Sequence, residues 1–112
     1  MNDTKVIEAM LKLQGVYEVK LQGTKLVSCS TSLSDLRIPD GITELADGCL
    51  SGQNNLLHIN LSDSIEVIGY APFSNCQNLL SISCSPKLQK FEENMKYANN
   101  AEVKYVSRSR KI

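Results

Sequence analysis

The sequence predicts an α+β chain. It reads as a short stack of repeated units, each giving one parallel strand and tight turns, closed at the N-terminal end by a helix and a β-hairpin. Three observations carry this. Two nearly identical heptads, NNLLHIN at 54–60 and QNLLSIS at 77–83, stand 23 residues apart. Within them apolar and polar residues alternate, the period of a strand with one buried face. The first 32 residues do not share the repeat and carry helix and hairpin signals of their own.

The helix comes first. NDTKVIEAMLKLQG offers Asp3 as N-cap, an apolar set of Val6, Ile7, Met10, Leu11 and Leu13, and Gly15 as the stop. The hairpin follows in VYEVKLQGTKLVSCS. Its first strand sets Tyr17, Val19 and Leu21 against Glu18, Lys20 and Gln22, and Gly23-Thr24 suits a turn with glycine at its first central position. A stack of units exposes an apolar cross-section at each end unless something covers it, so helix and hairpin are expected to form the N-terminal cap.

The repeat is laid out by sliding the chain against itself. Residues 38–60, 61–83 and 84–106 align with apolar columns at Ile38/Leu61/Cys84, Ile42/Ile65/Leu88, Leu45/Ile68/Phe91, Leu57/Leu80/Val103 and Ile59/Ile82/Tyr105. Polar columns recur as well: Asp40 with Asp63, Ser51 with Ser74, Asn55 with Asn78. Backwards, Leu33 and Leu36 fall under Leu56 and Ile59. A period in the low twenties implies one short strand per unit, each unit burying its neighbour's apolar edge. In LLHINL, Leu57, Ile59 and Leu61 are expected to face inward and His58 and Asn60 outward. The segments 42–45 and 65–68 supply a second, short extended piece on the opposite wall. The Gly-, Ser- and Asn-rich text between the walls makes turns rather than long helices.

These residues resemble the BspA-type leucine-rich repeats over about 33–106. That pattern opens with a hydrophobic residue and Pro, passes through Ile-Gly and Ala-Phe-x-x-Cys, and closes with Asn-Leu-x-x-Ile. The second unit fits it with Ile68-Gly69, Phe73, Cys76, Asn78-Leu79 and Ile82. The first unit departs at Leu50 in the Phe column and Gln53 in the Cys column, and the third reads Ala101-Glu102 in place of Asn-Leu. The resemblance implies a short leucine-rich-repeat solenoid within one domain: cap at 1–32, repeats at 33–106, basic tail at 107–112. For function it implies binding to another macromolecule.

Composition narrows the classes. The chain has 112 residues, 42% hydrophobic and 21% charged, which is one ordinary globular domain. No apolar run approaches the ~20 residues that span a bilayer. The first fifteen residues lack the basic, apolar and small-residue pattern of a secretory signal, so the expected location is cytoplasmic, with secretion only if a leader was removed. Cys29, Cys49, Cys76 and Cys84 show no CxxC spacing and occupy core-like columns, so they are expected to be reduced core thiols. With His58 the sole histidine, no metal or cofactor is expected. Residues 38–83 hold five acids and no base, whereas 84–112 hold seven bases and three acids. The terminal bases Lys104, Arg108, Arg110 and Lys111 make too small a footprint, with too few aromatics, to argue for nucleic acid.

The expected site is therefore a protein-binding surface. From the 23-residue register the outward rows are Asp35, His58, Ser81, Lys104 and Arg37, Asn60, Ser83, Val106. Asp35, Arg37, His58, Asn60, Ser81, Ser83 and Lys104 are the candidate contacts. The His58–Ser81 neighbourhood raises a hydrolase reading, but an open strand face offers no enclosure and the sequence has no nucleophile elbow. The non-enzymatic expectation is a small binder, such as an inhibitor or adaptor of bacterial or phage origin. The rival expectation is an assembly subunit, or a fragment of an adhesin-like surface protein.

Overall fold

A computed structural model describes residues 4–106. Two four-stranded sheets form the two walls of the molecule. The chain runs through α1 (Thr4–Gln14), β1 (Val16–Gln22), β2 (Lys25–Thr31), β3 (Asp35–Arg37), β4 (Glu44–Leu45), β5 (His58–Asn60), β6 (Val67–Ile68) and β7 (Ser81–Cys84). A 3₁₀ helix (Pro86–Phe91), α2 (Glu92–Lys96) and β8 (Glu102–Tyr105) complete it. One sheet has the order β1-β2-β4-β6 and the other β3-β5-β7-β8. All pairings are parallel except the β1–β2 hairpin.

The repeat register is visible in the pairing. Asp35, His58 and Ser81 stand side by side, as do Leu36, Ile59 and Ile82, and Arg37, Asn60 and Ser83. On the opposite wall Glu44 pairs with Val67 and Leu45 with Ile68. Between the walls lies one core of Leu26, Leu36, Ile42, Leu45, Leu50, Ile59, Ile65, Phe73, Ile82 and Leu88, all almost wholly removed from water. Leu50 and Phe73 share a column, as the alignment requires, and Ser51 meets Ser74 at 2.8 Å between hydroxyls. Gln53 stands where the next unit has Cys76. Its side-chain carbonyl accepts the Thr31 N–H at 3.0 Å, a contact a thiol would not make as well.

Gly15 ends α1 with φ 114, and Gly23 opens the hairpin turn with φ 59, as the sequence predicts. Asp3, expected to cap α1, lies outside the described residues, as do Arg108, Arg110 and Lys111 of the tail.

Four expectations need correction. First, Tyr17 does not belong to the buried face of β1. Val16 is buried and Glu18 takes φ 54, a bulge that advances the alternation by one so that Val19 and Leu21 pack on the core while Tyr17 is exposed. Second, α1 buries a narrow stripe of Ile7 and Leu11, leaving Val6, Met10 and Leu13 exposed. Third, Leu56 and Leu79 are buried rather than Leu57 and Leu80, Leu80 being 58% exposed. The cause is a kink before the strand: the N–H groups of Leu57 and His58 both donate to the Ser34 carbonyl, at 2.7 and 3.0 Å, which turns Leu56 inward.

The fourth correction concerns the last unit. Ser81 pairs with Glu102, Ser83 with Lys104, and Cys84 with Tyr105, an offset of 21 rather than the 23 that relates His58 to Ser81. The 3₁₀ helix and α2 replace the second extended segment and return the chain two residues sooner. Lys104 therefore does not share a row with Ser81.

The hairpin is also more than an added cover. β2 pairs with β4, setting Lys25 beside Glu44 and Leu26 beside Leu45, so its second strand is the first layer of that wall.

Candidate functional site

In the β3-β5-β7-β8 wall, β3 and β5 turn their middle residue inward, and β7 does the same with its second. Leu36, Ile59 and Ile82 are 2%, 1% and 0% exposed, and this anchoring forces their neighbours outward. The corrected rows are Asp35, His58, Ser81, Glu102 and Arg37, Asn60, Ser83, Lys104. Each row is neutral and polar in the middle. One row carries acids at both ends and the other bases, so Asp35 sits beside Arg37 on β3 and Glu102 beside Lys104 on β8. The expected places of Lys104 after Ser81 and of Val106 after Ser83 are overturned by the shorter last unit, which puts Glu102 and Lys104 there.

Two contacts hold this surface in shape. His58 Nδ1 and Ser81 Oγ lie 2.7 Å apart, which orients the imidazole and leaves Ser81 only 7% exposed beneath it. Gln14 clamps the edge of β3. Its amide donates to the Arg37 carbonyl at 2.7 Å, and its carbonyl accepts the Arg37 N–H at 3.1 Å. Gln14 stands 23 residues before Arg37, so the amide takes the place a strand of an earlier unit would fill. The sequence reasoning overlooked both Gln14 and Glu102. Extending the 23-residue column 83, 60, 37 one further step would have found Gln14, whereas nothing local announces the shortened last unit.

A shallow depression of about 370 Å³ lies over these residues, lined by Gln14, Asp35, Arg37, His58, Asn60 and Ser83. A second, of about 540 Å³, shares Arg37 and Asn60 and continues to Pro39, Asp40 and Asp63. The strand rows and the acidic turns thus adjoin. Among the predicted contacts, Asp35, Arg37, His58, Asn60 and Ser83 come together at the first depression; Lys104 lies beyond it on β8, next to Ser83.

What can this arrangement do chemically? Rows of fixed donors and acceptors on rigid strands suit recognition of an extended polar surface, with little ordering required on binding. Catalysis needs an enclosed, oriented substrate, and the His58–Ser81 pair stands on an open face. The thiols are withheld from chemistry. Burial pushes Cys29 up to about 12. Burial also raises Cys49, with Cys29 adding to the effect, and raises Cys76. All four cysteines are buried and outside any disulfide. Among the described residues no cluster of His, Cys, Asp and Glu is arranged to hold a metal ion, and no helix is long and apolar enough to cross a membrane.

A repeated strand-and-turn unit, stacked in parallel register with an Ile-Gly step and a buried Phe-x-x-Cys segment, defines a leucine-rich-repeat protein. The chain belongs to the BspA type leucine-rich repeat family, whose model for the BspA type leucine rich repeat region (6 copies) matches residues 19–111. That match reaches back into β1, consistent with β2 forming part of the repeat wall. No curated protein and no solved structure matches the chain. The family is one of protein-interaction modules and is generally non-enzymatic.

Proposed function

We propose that the protein is a short leucine-rich-repeat solenoid that binds another protein through its outward strand rows. The contacts are Asp35, Arg37, His58, Asn60, Ser83 and Lys104, joined by Gln14 and Glu102, while the expected contact Ser81, 7% exposed, holds His58 from beneath. The single observation that carries this reading is the fixed, exposed surface over β3, β5 and β7, where Gln14 clamps Arg37 and Ser81 holds His58. Such pre-organisation lowers the entropy cost of association. Oppositely charged ends on adjacent rows favour a partner carrying both signs and set its orientation more than its residence time. The module acts as an inhibitor or adaptor without cofactor or catalysis, and in the cytoplasm.

The test is capture of the partner from the native host by wild-type protein, followed by affinity measurement on two variants. One is His58→Ala with Asn60→Ala, and the other is Asp40→Asn with Asp63→Asn. Truncating central contact residues is expected to cost ~1–2 kcal/mol or more, roughly a tenfold or larger loss of affinity, in the first variant. Loss confined to the second, with steep salt dependence, moves the site to the acidic turns.

A further inference from the structure

Sheets end in strand edges whose unpaired N–H and C=O groups template further pairing unless something blunts them. Two open sheets have four such edges here. Three are blunted. The Gln14 amide occupies the edge of β3. The Asn94 amide covers the edge of β6, donating to the carbonyls of Ile68 and Gly69 at 3.2 and 2.9 Å. The edge of β1 is bent by Glu18 at φ 54, where the pairing with β2 shifts register, and a bulge turns an edge away from an incoming strand.

β8 shows none of these devices. Its pairing with β7 runs without a shift through four residues, and it contains no proline. The Glu102 N–H donates to the Leu80 carbonyl at 2.9 Å and the Val106 N–H to the Cys84 carbonyl at 2.8 Å, both on the β7 side. Main-chain groups alternate sides along a strand, so those of Val103 and Tyr105 point away from β7. Among the described residues nothing bonds to that outer side.

We propose that β8 pairs antiparallel with β8 of a second copy of this chain, centred on Val103, joining two four-stranded sheets into one of eight strands. Charge chooses the occupant and the register. Glu102 and Lys104 are exposed on the same face of β8. A two-fold axis at Val103 sets Glu102 opposite the second copy's Lys104, and the same contact recurs across the axis. Moving the axis to Lys104 would set two lysines directly opposite each other, which is destabilising. The Glu-Val-Lys triplet is thus complementary to itself in one register. There Val103 bonds with its counterpart, and the Tyr105 N–H meets the second copy's Ala101 carbonyl. The Ala101 N–H is already satisfied by Asn99 at 3.0 Å. Head-to-tail stacking is closed off, because the β3 edge that a second copy's β8 would need is filled by Gln14.

The pairing goes beyond the row-binding function and stands or falls separately, since its readout is mass. Two short strands bury far less than the ~1,200 Å² of a standard stable interface, so the dimer is weak and concentration-dependent. Sedimentation equilibrium of the whole chain should show a monomer–dimer equilibrium that weakens with salt. Glu102→Lys or Lys104→Glu alone converts two attractive contacts into two repulsive ones and should weaken the dimer about tenfold or more. The double exchange, Glu102→Lys with Lys104→Glu, should restore it. Val103→Pro removes an outward N–H that no internal bond uses, and should abolish the dimer while the monomer stays folded. Should that variant fail to fold, the charge series decides alone. A chain that remains monomeric at every concentration overturns the proposal, and so does a dimer indifferent to both single reversals.

Discussion

Gly69→Ala should destabilise the protein, although replacing glycine by alanine in an unstrained position ordinarily stabilises. Gly69 follows β6, and its N–H donates to the Leu45 carbonyl at 2.8 Å. A Cβ at this position would lie 2.5 Å from Asp47 Oδ1, 2.7 Å from Asp47 N and 2.9 Å from the Ala46 carbonyl carbon. Two of the three are backbone of the adjacent unit. The third cannot swing away freely, since Asp47 Oδ1 accepts the Tyr70 N–H at 2.7 Å. Relieving the clash means parting two stacked units. Overpacking of this kind costs ~1–3 kcal/mol, loosening of the two hydrogen bonds adds ~1 kcal/mol, and the reduced freedom of the unfolded chain returns ~0.4–1 kcal/mol. The net loss is about 1–3 kcal/mol, to be read from urea unfolding as a lower midpoint at constant slope. The control is Ala46→Gly, 23 residues earlier in the same column, which should cost only the ~0.5–1 kcal/mol of added backbone freedom. A Gly69→Ala protein as stable as wild type would refute the close-packed step between units.

Ile59→Asp and Ile82→Asp each place a charge in the core and should cost more than ~4 kcal/mol or abolish folding, whereas the exposed His58→Asp should stay within ~1 kcal/mol. Ser81→Asp should fall between, because Ser81 is 7% exposed and bonded to His58; equal effects at 58 and 59, by circular dichroism melting, would mean the strand faces are reversed. Burial raises Cys29 from 9.0 to about 12, so the unfolded chain ionises first and stability is full below pH 9, then lost as pH rises toward 12. The loss should reach up to ~1.4 kcal/mol per pH unit for this thiol, and Cys29→Ala should flatten the urea-midpoint profile there. Gln14→Ala removes both bonds to Arg37 and should cost ~1–3 kcal/mol, with faster hydrogen exchange at the Arg37 amide and no change at Ile82.

The stacked register was legible because identical letters at a fixed offset must occupy equivalent places in a stack. Leu36, Ile59 and Ile82 paired as the columns required, and so did Ser51 with Ser74. The outward rows followed from that register through Ser83. Where the sequence misled, it did so through features a periodic pattern does not encode. Glu18 at φ 54 moves the alternation of β1 by one residue with no change in composition. In the Leu56-Leu57 and Leu79-Leu80 pairs either leucine satisfies the pattern, and only the bifurcated bonding to the Ser34 carbonyl in the first pair and to the Leu57 carbonyl in the second selects the first leucine. The stripe of Val6, Met10 and Leu13 looks like a core face by spacing, yet only Ile7 and Leu11 of α1 are buried. At the last unit the helical return changes the offset itself, so Glu102 replaced Lys104 beside Ser81.

A common device runs through the places where the repeat breaks. A side-chain carboxamide carries the same donor and acceptor as a peptide group, and this chain sets one at each interruption. Gln14 stands in for a missing strand beside Arg37. Gln53 satisfies the Thr31 N–H where the first unit lacks its cysteine. Asn94 covers the carbonyls that end the β1-β2-β4-β6 wall, and Asn99 bonds the Phe73 and Met95 carbonyls and the Ala101 N–H as the chain turns into β8. Broken periodicity therefore does not leave the backbone unsatisfied; amides take over where the neighbouring unit is absent. Among the described residues, the outer side of β8 is the sheet edge with neither an amide nor a bulge, and it carries the Glu102–Lys104 pair that a second β8 would complement.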